Sequence, residues 1–145
     1  MNYFENVETS LIEICEECKY YKTNQCVSST CNIGFALNAI RGAKINGGKT
    51  INDGTKLIPT TDIKFYEKNA IAKGIASVCR LCKGCRENHN ENCIVSLSRR
   101  SLEITYLKQE VVYPGNVLMY LVNLAKQDSN FADKIKTEYT HMRII

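Results

Sequence analysis

Cys79-Arg80-Leu81-Cys82-Lys83-Gly84-Cys85, then a polar stretch, then Cys93, is the segment from which the rest of the chain is read. Upstream of it Ile63, Tyr66, Ala70, Ile71, Ile75 and Val78 recur at three- and four-residue steps. That is the buried stripe of a helix running from Asp62 straight into Cys79. Downstream, Ile94, Leu97, Leu102 and Leu107 predict a second helix from Ile94 to about Lys108, with Arg99 and Arg100 outward. The pattern is helix, cysteine loop, helix. Three thiols two residues apart, with a fourth a short loop away, are the four soft ligands that a tetrahedral zinc or an iron-sulfur cube requires.

The same unit occurs earlier. Phe4, Val7, Leu11 and Ile14 form a helical stripe that delivers the chain to Cys15, which is followed by Cys18, Cys26 and Cys31. A further helix is expected from Cys31 to Ala43, with Ile33, Leu37 and Ile40 on one face and Gly42 as its stop. Cys31 would open this helix, where backbone amides and the positive end of the dipole favour a thiolate. Sliding the chain so that Cys15 lies on Cys82 also places Cys18 on Cys85 and Cys26 on Cys93, the mark of an internal duplication. The fourth ligand breaks the match, since Cys31 falls on Ser98 and Cys79 on Ile12.

Between the two units, Ala43-Lys44-Ile45 and Lys49-Thr50-Ile51 around Asn46-Gly47-Gly48 read as a hairpin. Pro59 closes that segment, and Thr60 or Thr61 is placed to cap the next helix. After a break at Val111 to Gly115, a helix is expected from Asn116 to about Gln127, presenting Val117, Leu118, Leu121 and Leu124. Asp128 or Ser129 then starts a last one with Phe131, Ile135 and Tyr139. The expected fold is mainly α: a helix–cysteine loop–helix unit present twice, a small β-hairpin between, and two C-terminal helices. It forms a single compact domain over 1–145, with pseudo-repeat halves 1–43 and 62–108 and a helical pair over 115–142.

With 145 residues the chain can bury a real core, so its eight cysteines are not needed merely to staple a small scaffold. The N-terminal residues have no basic start, apolar run or cleavage site, so a cytoplasmic, soluble protein is expected. In a reducing compartment clustered thiols point to metal rather than to disulfides. The best apolar run, Val117 to Val122, is broken by Asn123, so no membrane span is expected. A net charge of +4, with acids and bases interleaved, permits nucleic-acid binding without arguing for it.

Cys15, Cys18, Cys26 and Cys31 fit either structural zinc or an iron-sulfur cluster. Cys79, Cys82 and Cys85 are more informative, because steady steps of three place each sulfur on a different iron, and the run resembles that of bacterial ferredoxins. A ferredoxin run would continue with a fourth cysteine and a proline, whereas Arg86-Glu87-Asn88-His89 follows here. His89 could join Cys82, Cys85 and Cys93 around a zinc, leaving Cys79 aside, though a solvated loop histidine is the plainer reading, as it is for His141. Gly42, Gly47, Gly48 and Lys49 lack the order of a phosphate loop. Arg99, Arg100, Lys108, Lys134, Lys136 and Arg143 are scattered charges before they are a phosphate-binding face. A redox disulfide at Cys15 and Cys18 would sit in a strand-rich fold, which the helical pattern opposes. No nucleophile, base and orienting acid are legible, so no catalytic activity of its own is expected.

The expectation is therefore a protein with two four-cysteine centres, Cys15, Cys18, Cys26, Cys31 and Cys79, Cys82, Cys85, Cys93. The cofactors expected are two [4Fe-4S] clusters, used in electron transfer, in redox sensing or in an accessory subunit that binds a redox enzyme as its protein partner. The alternative is two zinc ions in an interaction or nucleic-acid-binding module.

Overall fold

The stripe leading to Cys79 does form a helix, and the other elements pack around it. The computed structural model describes residues 3–24, 26–46, 50–62, 64, 66–83, 92–107 and 111–142. Within them lie seven α-helices: α1 (Tyr3–Glu16), α2 (Asn32–Asn46), α3 (Gly54–Leu57), α4 (Lys68–Lys83), α5 (Ile94–Ile104), α6 (Val117–Ala125) and α7 (Ser129–Met142). Helix α4 touches α1, α5, α6 and α7, while α2 packs on α1 and α5. Its buried stripe is broad, running through Ile71, Ala72, Ile75, Ala76, Val78 and Cys79, and the small side chains within it let neighbouring helices approach closely. Val7, Leu11 and Ile14 from α1, Leu102 from α5, Tyr120 and Leu124 from α6, and Phe131 and Ile135 from α7 complete one core.

Several boundaries depart from the sequence reading. Helix α4 begins at Lys68 rather than at Asp62, because the Asp62 carboxylate is engaged elsewhere: it accepts from the Asn32 amide at 2.9 Å and the Lys64 amide at 3.0 Å. Helix α2 runs through Gly42 to Asn46, so Lys44 and Ile45 are its last turn and not a strand. No hairpin is found among the described residues. Thr50 instead makes an isolated antiparallel bridge to Cys93, reinforced by the Ile51 amide donating to the Asn92 carbonyl at 3.0 Å. Residues 47–49, where the turn was expected, lie outside the described residues. Gly54 then matters for space, since a Cβ there would collide with a methyl of the buried Leu97.

The C-terminal pair starts where expected. Asn116 Oδ1 accepts from the Met119 amide at 3.2 Å and Asp128 Oδ1 from the Phe131 amide at 3.0 Å, each satisfying an otherwise orphan donor of the first turn. Leu118, read as inward, is 65% exposed, and Tyr120 takes the core position. Arg99, read as outward, is 3% exposed. It pairs with Glu103 one turn on at 3.5 Å and lies over the rings of Tyr113 and Tyr120 at 4.4 and 5.1 Å, while the Tyr120 hydroxyl donates to Glu103. Burial makes ionisation of Glu103 costly and raises its pKa in spite of Arg99. None of the helices is long and apolar enough to cross a membrane.

Candidate metal centre

Helix α1 carries Cys15 on its last turn and stops one residue later, at Glu16. The chain then coils through tight turns, with the Cys18 amide donating to the Cys15 carbonyl at 2.9 Å, Tyr21 to Cys18 at 3.1 Å and Cys26 to Thr23 at 3.1 Å. Lys22, between Cys18 and Cys26, adopts a left-handed backbone (φ 62°). One 3-10 turn, Ser28–Thr30, leads to Cys31 immediately before α2. There the Gly34 amide donates to Cys31 Sγ at 3.3 Å, so a thiol fills the role that a serine or aspartate oxygen plays at other helix starts.

All four cysteines of the first set line one cavity, together with Tyr20, Tyr21, Ile33, Lys64 and Tyr66. Counting its open mouth, the cavity holds ≈ 320 Å³ of non-protein space, of which ≈ 20 Å³ could take the centre of a water molecule. The thiols are graded in depth, with Cys31 buried, Cys15 and Cys18 half-buried and Cys26 exposed. They also feel one another. Burial pushes the Cys15 thiol up to about 11, and the negative fields of Cys31, Cys26 and Cys18 push the same way. Among the described residues, no three His, Cys, Asp or Glu side chains converge on a point that one ion could occupy. None of the six cysteines whose side chains are described forms a disulfide.

Tyr66 and Lys64 line the pocket and Asp62 stands behind them, three residues that the sequence reading did not single out for this role. The Tyr66 hydroxyl lies 3.4 Å from Cys31 Sγ and donates to Asp62 Oδ2 at 2.6 Å. Lys64 Nζ pairs with Asp62 Oδ1 at 3.0 Å. Burial works to raise the Asp62 carboxyl, but hydrogen bonds from Tyr66, Asn32 and Lys64 hold it below its ordinary value. Burial opposes the Lys64 charge, yet Asp62 and the fields of Cys31 and Cys18 raise it above the ordinary lysine value. Among the residues lining the cavity Lys64 is the cation, with its ammonium paired to Asp62. Asn32 ties this corner to the bundle: its side-chain amide donates to the Pro59 carbonyl at 2.8 Å and to Ser101 Oγ at 3.0 Å.

The second set is only partly visible. Cys79 and Cys82 stand three residues apart near the end of α4, hence on neighbouring positions of one face, and Cys79 is 1% exposed within the core. Cys93 is the residue that precedes α5 and bridges to Thr50. The Cys82 side chain, Cys85 and the proposed substitute ligand His89 lie outside the described residues, as do Lys108 and Arg143 of the basic face. With Arg99 buried against Glu103, that face loses one of its members. No family model, no curated protein and no solved structure matches this chain. The chemistry of the site must be argued from its own residues.

Proposed function

We propose that the chain is a cysteine-ligated metal protein with two four-cysteine centres, each a [4Fe-4S] cluster. It would work in a reducing cytoplasm in electron transfer, in redox sensing or as an accessory subunit of a redox enzyme, with no catalytic activity of its own. The observation that carries this reading is the meeting of Cys15, Cys18, Cys26 and Cys31 around one cavity. Four ionised thiols at such a place repel one another, and a cationic inorganic centre between them reverses that penalty by binding the thiolate form. Lys64 would offset the net negative charge that four thiolates leave on the centre.

For the second centre the support is the cysteine spacing and the repeated element order. In each half a helix carries a cysteine on its last turn, Cys15 in α1 and Cys82 in α4, and a cysteine immediately precedes the next long helix, Cys31 before α2 and Cys93 before α5. The accessory-subunit form is favoured by the outer face of α6, where Leu118, Met119 and Val122 are exposed beside Val112.

A structural zinc role is the second reading, favoured by where the first centre would sit: the end of α1, the start of α2, Lys64 and Tyr66 all meet there, with Asp62 bonded to the Asn32 amide. Iron, zinc and acid-labile sulfide measured on one air-free preparation decide between them. A brown protein with roughly four iron and four sulfide per centre is expected. A colourless one with about one zinc per centre would put the zinc reading in its place, and absence of all three would remove both.

A further inference from the structure

We infer that Tyr66, steadied by Asp62 and Lys64, is a positioning residue for Cys31: it supplies the hydrogen bond that fixes this thiolate on the centre and draws electron density from its sulfur. The inference rests on the cluster reading above. Its basis is one chain of contacts from Lys64 Nζ to Asp62 Oδ1 (3.0 Å), from Asp62 Oδ2 to the Tyr66 hydroxyl (2.6 Å), and from that hydroxyl to Cys31 Sγ (3.4 Å).

The donor count decides what this chain does. A tyrosine has one hydroxyl proton. While Cys31 is a thiol, it can donate to the Tyr66 oxygen as Tyr66 donates to Asp62. As a metal ligand Cys31 carries no proton, so Tyr66 becomes the only donor available at that contact. Asp62 can release the hydroxyl, because it still accepts from Lys64 Nζ and from the amides of Asn32 and Lys64. With the centre loaded, the Tyr66 hydroxyl, 3.4 Å from Cys31 Sγ, would supply the hydrogen bond to that sulfur. On the other side of Cys31 the Gly34 amide already donates to Sγ, so the deepest of the four sulfurs would carry two hydrogen bonds. Such outer contacts orient the ligand, and hydrogen bonds to ligating sulfur favour the reduced cluster and raise its potential.

Tyr66→Phe tests this in the full chain, because it removes the hydroxyl and keeps the ring. The centre is rebuilt anaerobically with ferrous iron and sulfide. The variant is expected to bind as much iron as the wild type, to release it to a chelator about tenfold or more faster, and to show a more negative midpoint potential. Tyr139→Phe, on α7 and outside the lining of the cavity, is the control for loss of a hydroxyl elsewhere and should leave both readouts unchanged. Equal release rate and potential in wild type and Tyr66→Phe would overturn the inference while leaving the cluster reading intact. A wild type that takes up no iron or sulfide would overturn both.

Discussion

Cys31 does three jobs at one position: it precedes α2, it accepts the Gly34 amide, and it faces Tyr66. Cys31→Ser would keep the helix start, since serine is a good capping residue, but would remove the deepest ligand. It should lose the iron of the first centre and lower the urea midpoint, whereas unchanged metal content would remove Cys31 from the ligand set. Arg99 carries a different kind of weight. Arg99→Met leaves Glu103 buried without its cation and is expected to cost about 3–5 kcal/mol in urea unfolding. Asp62 is the residue whose effect depends on pH. Its carboxyl is held below the ordinary value in the fold, so it stabilises the folded state above the ordinary aspartate range, and that contribution is lost as pH falls through the folded value. The stability gap between wild type and Asp62→Asn should accordingly be widest at neutral pH and close on acidification from about pH 4 downward. A gap independent of pH would mean that the Asp62 charge is not what holds this corner. Glu103 works in the opposite sense: a carboxyl raised by burial costs stability once pH exceeds its ordinary value.

Among the elements, α4 is the one whose surface tolerates least, yet Gly74 within it is an opening. A Cβ there would meet Leu102, Leu11 and Ile14 at 3.4, 3.5 and 3.7 Å, ordinary contact distances. Gly74→Ala should therefore stabilise the protein by about 0.5–1 kcal/mol through reduced freedom of the unfolded chain. Gly54 is the reverse case, since the added methyl runs into Leu97 beside Ile51, and Gly54→Ala is expected to cost about 1–3 kcal/mol. Thermal or urea unfolding of both variants checks the pair, and the opposite signs make the comparison sharp. The surface ion pairs that link α1 to its neighbours, Glu8 with Lys44 and Arg41 and Glu13 with Lys73, add little beside the core stripe they border.

Across the whole molecule the first centre and the C-terminal pair sit on different partners of α4. Helices α6 and α7 pack on α4 and on each other, and Arg80 of α4 donates to the Tyr139 carbonyl while its guanidinium lies 3.9 Å from that ring. The cysteine cavity instead draws on the end of α1, Cys18, Tyr20, Tyr21 and Cys26 after it, the start of α2, and Lys64 and Tyr66. On the proposed metal reading, a chelator added to the metal-loaded protein should raise hydrogen exchange first between Glu17 and Cys31 and at the adjoining ends of α1 and α2, with α7 protected longer. Uniform loosening would show that the centre holds the entire bundle.

Helical periodicity is a local property, carried by residues three and four apart, so the mainly helical character, the stripes of α1 and α4 and the starts of α6 and α7 were legible in the sequence alone. The nearness of Cys15, Cys18, Cys26 and Cys31 is local as well, because they lie on one helix end and the stretch that leads to α2. What the sequence could not yield was the work of groups distant along the chain. Asp62 reads as part of its own helix start until the fold brings it to the amide of Asn32, and Arg99 reads as a surface charge until Glu103, Tyr113 and Tyr120 enclose it. Likewise Ile45 continues a helix rather than opening a strand, since the chain's only described bridge from Thr50 goes to Cys93, a partner that no local pattern names. Spacing along the chain determined which thiols could share a centre; only tertiary packing decided that Tyr66, Asp62 and Lys64 stand behind them, because hydrogen bonds and charge pairs form by distance in space and leave no period in the sequence.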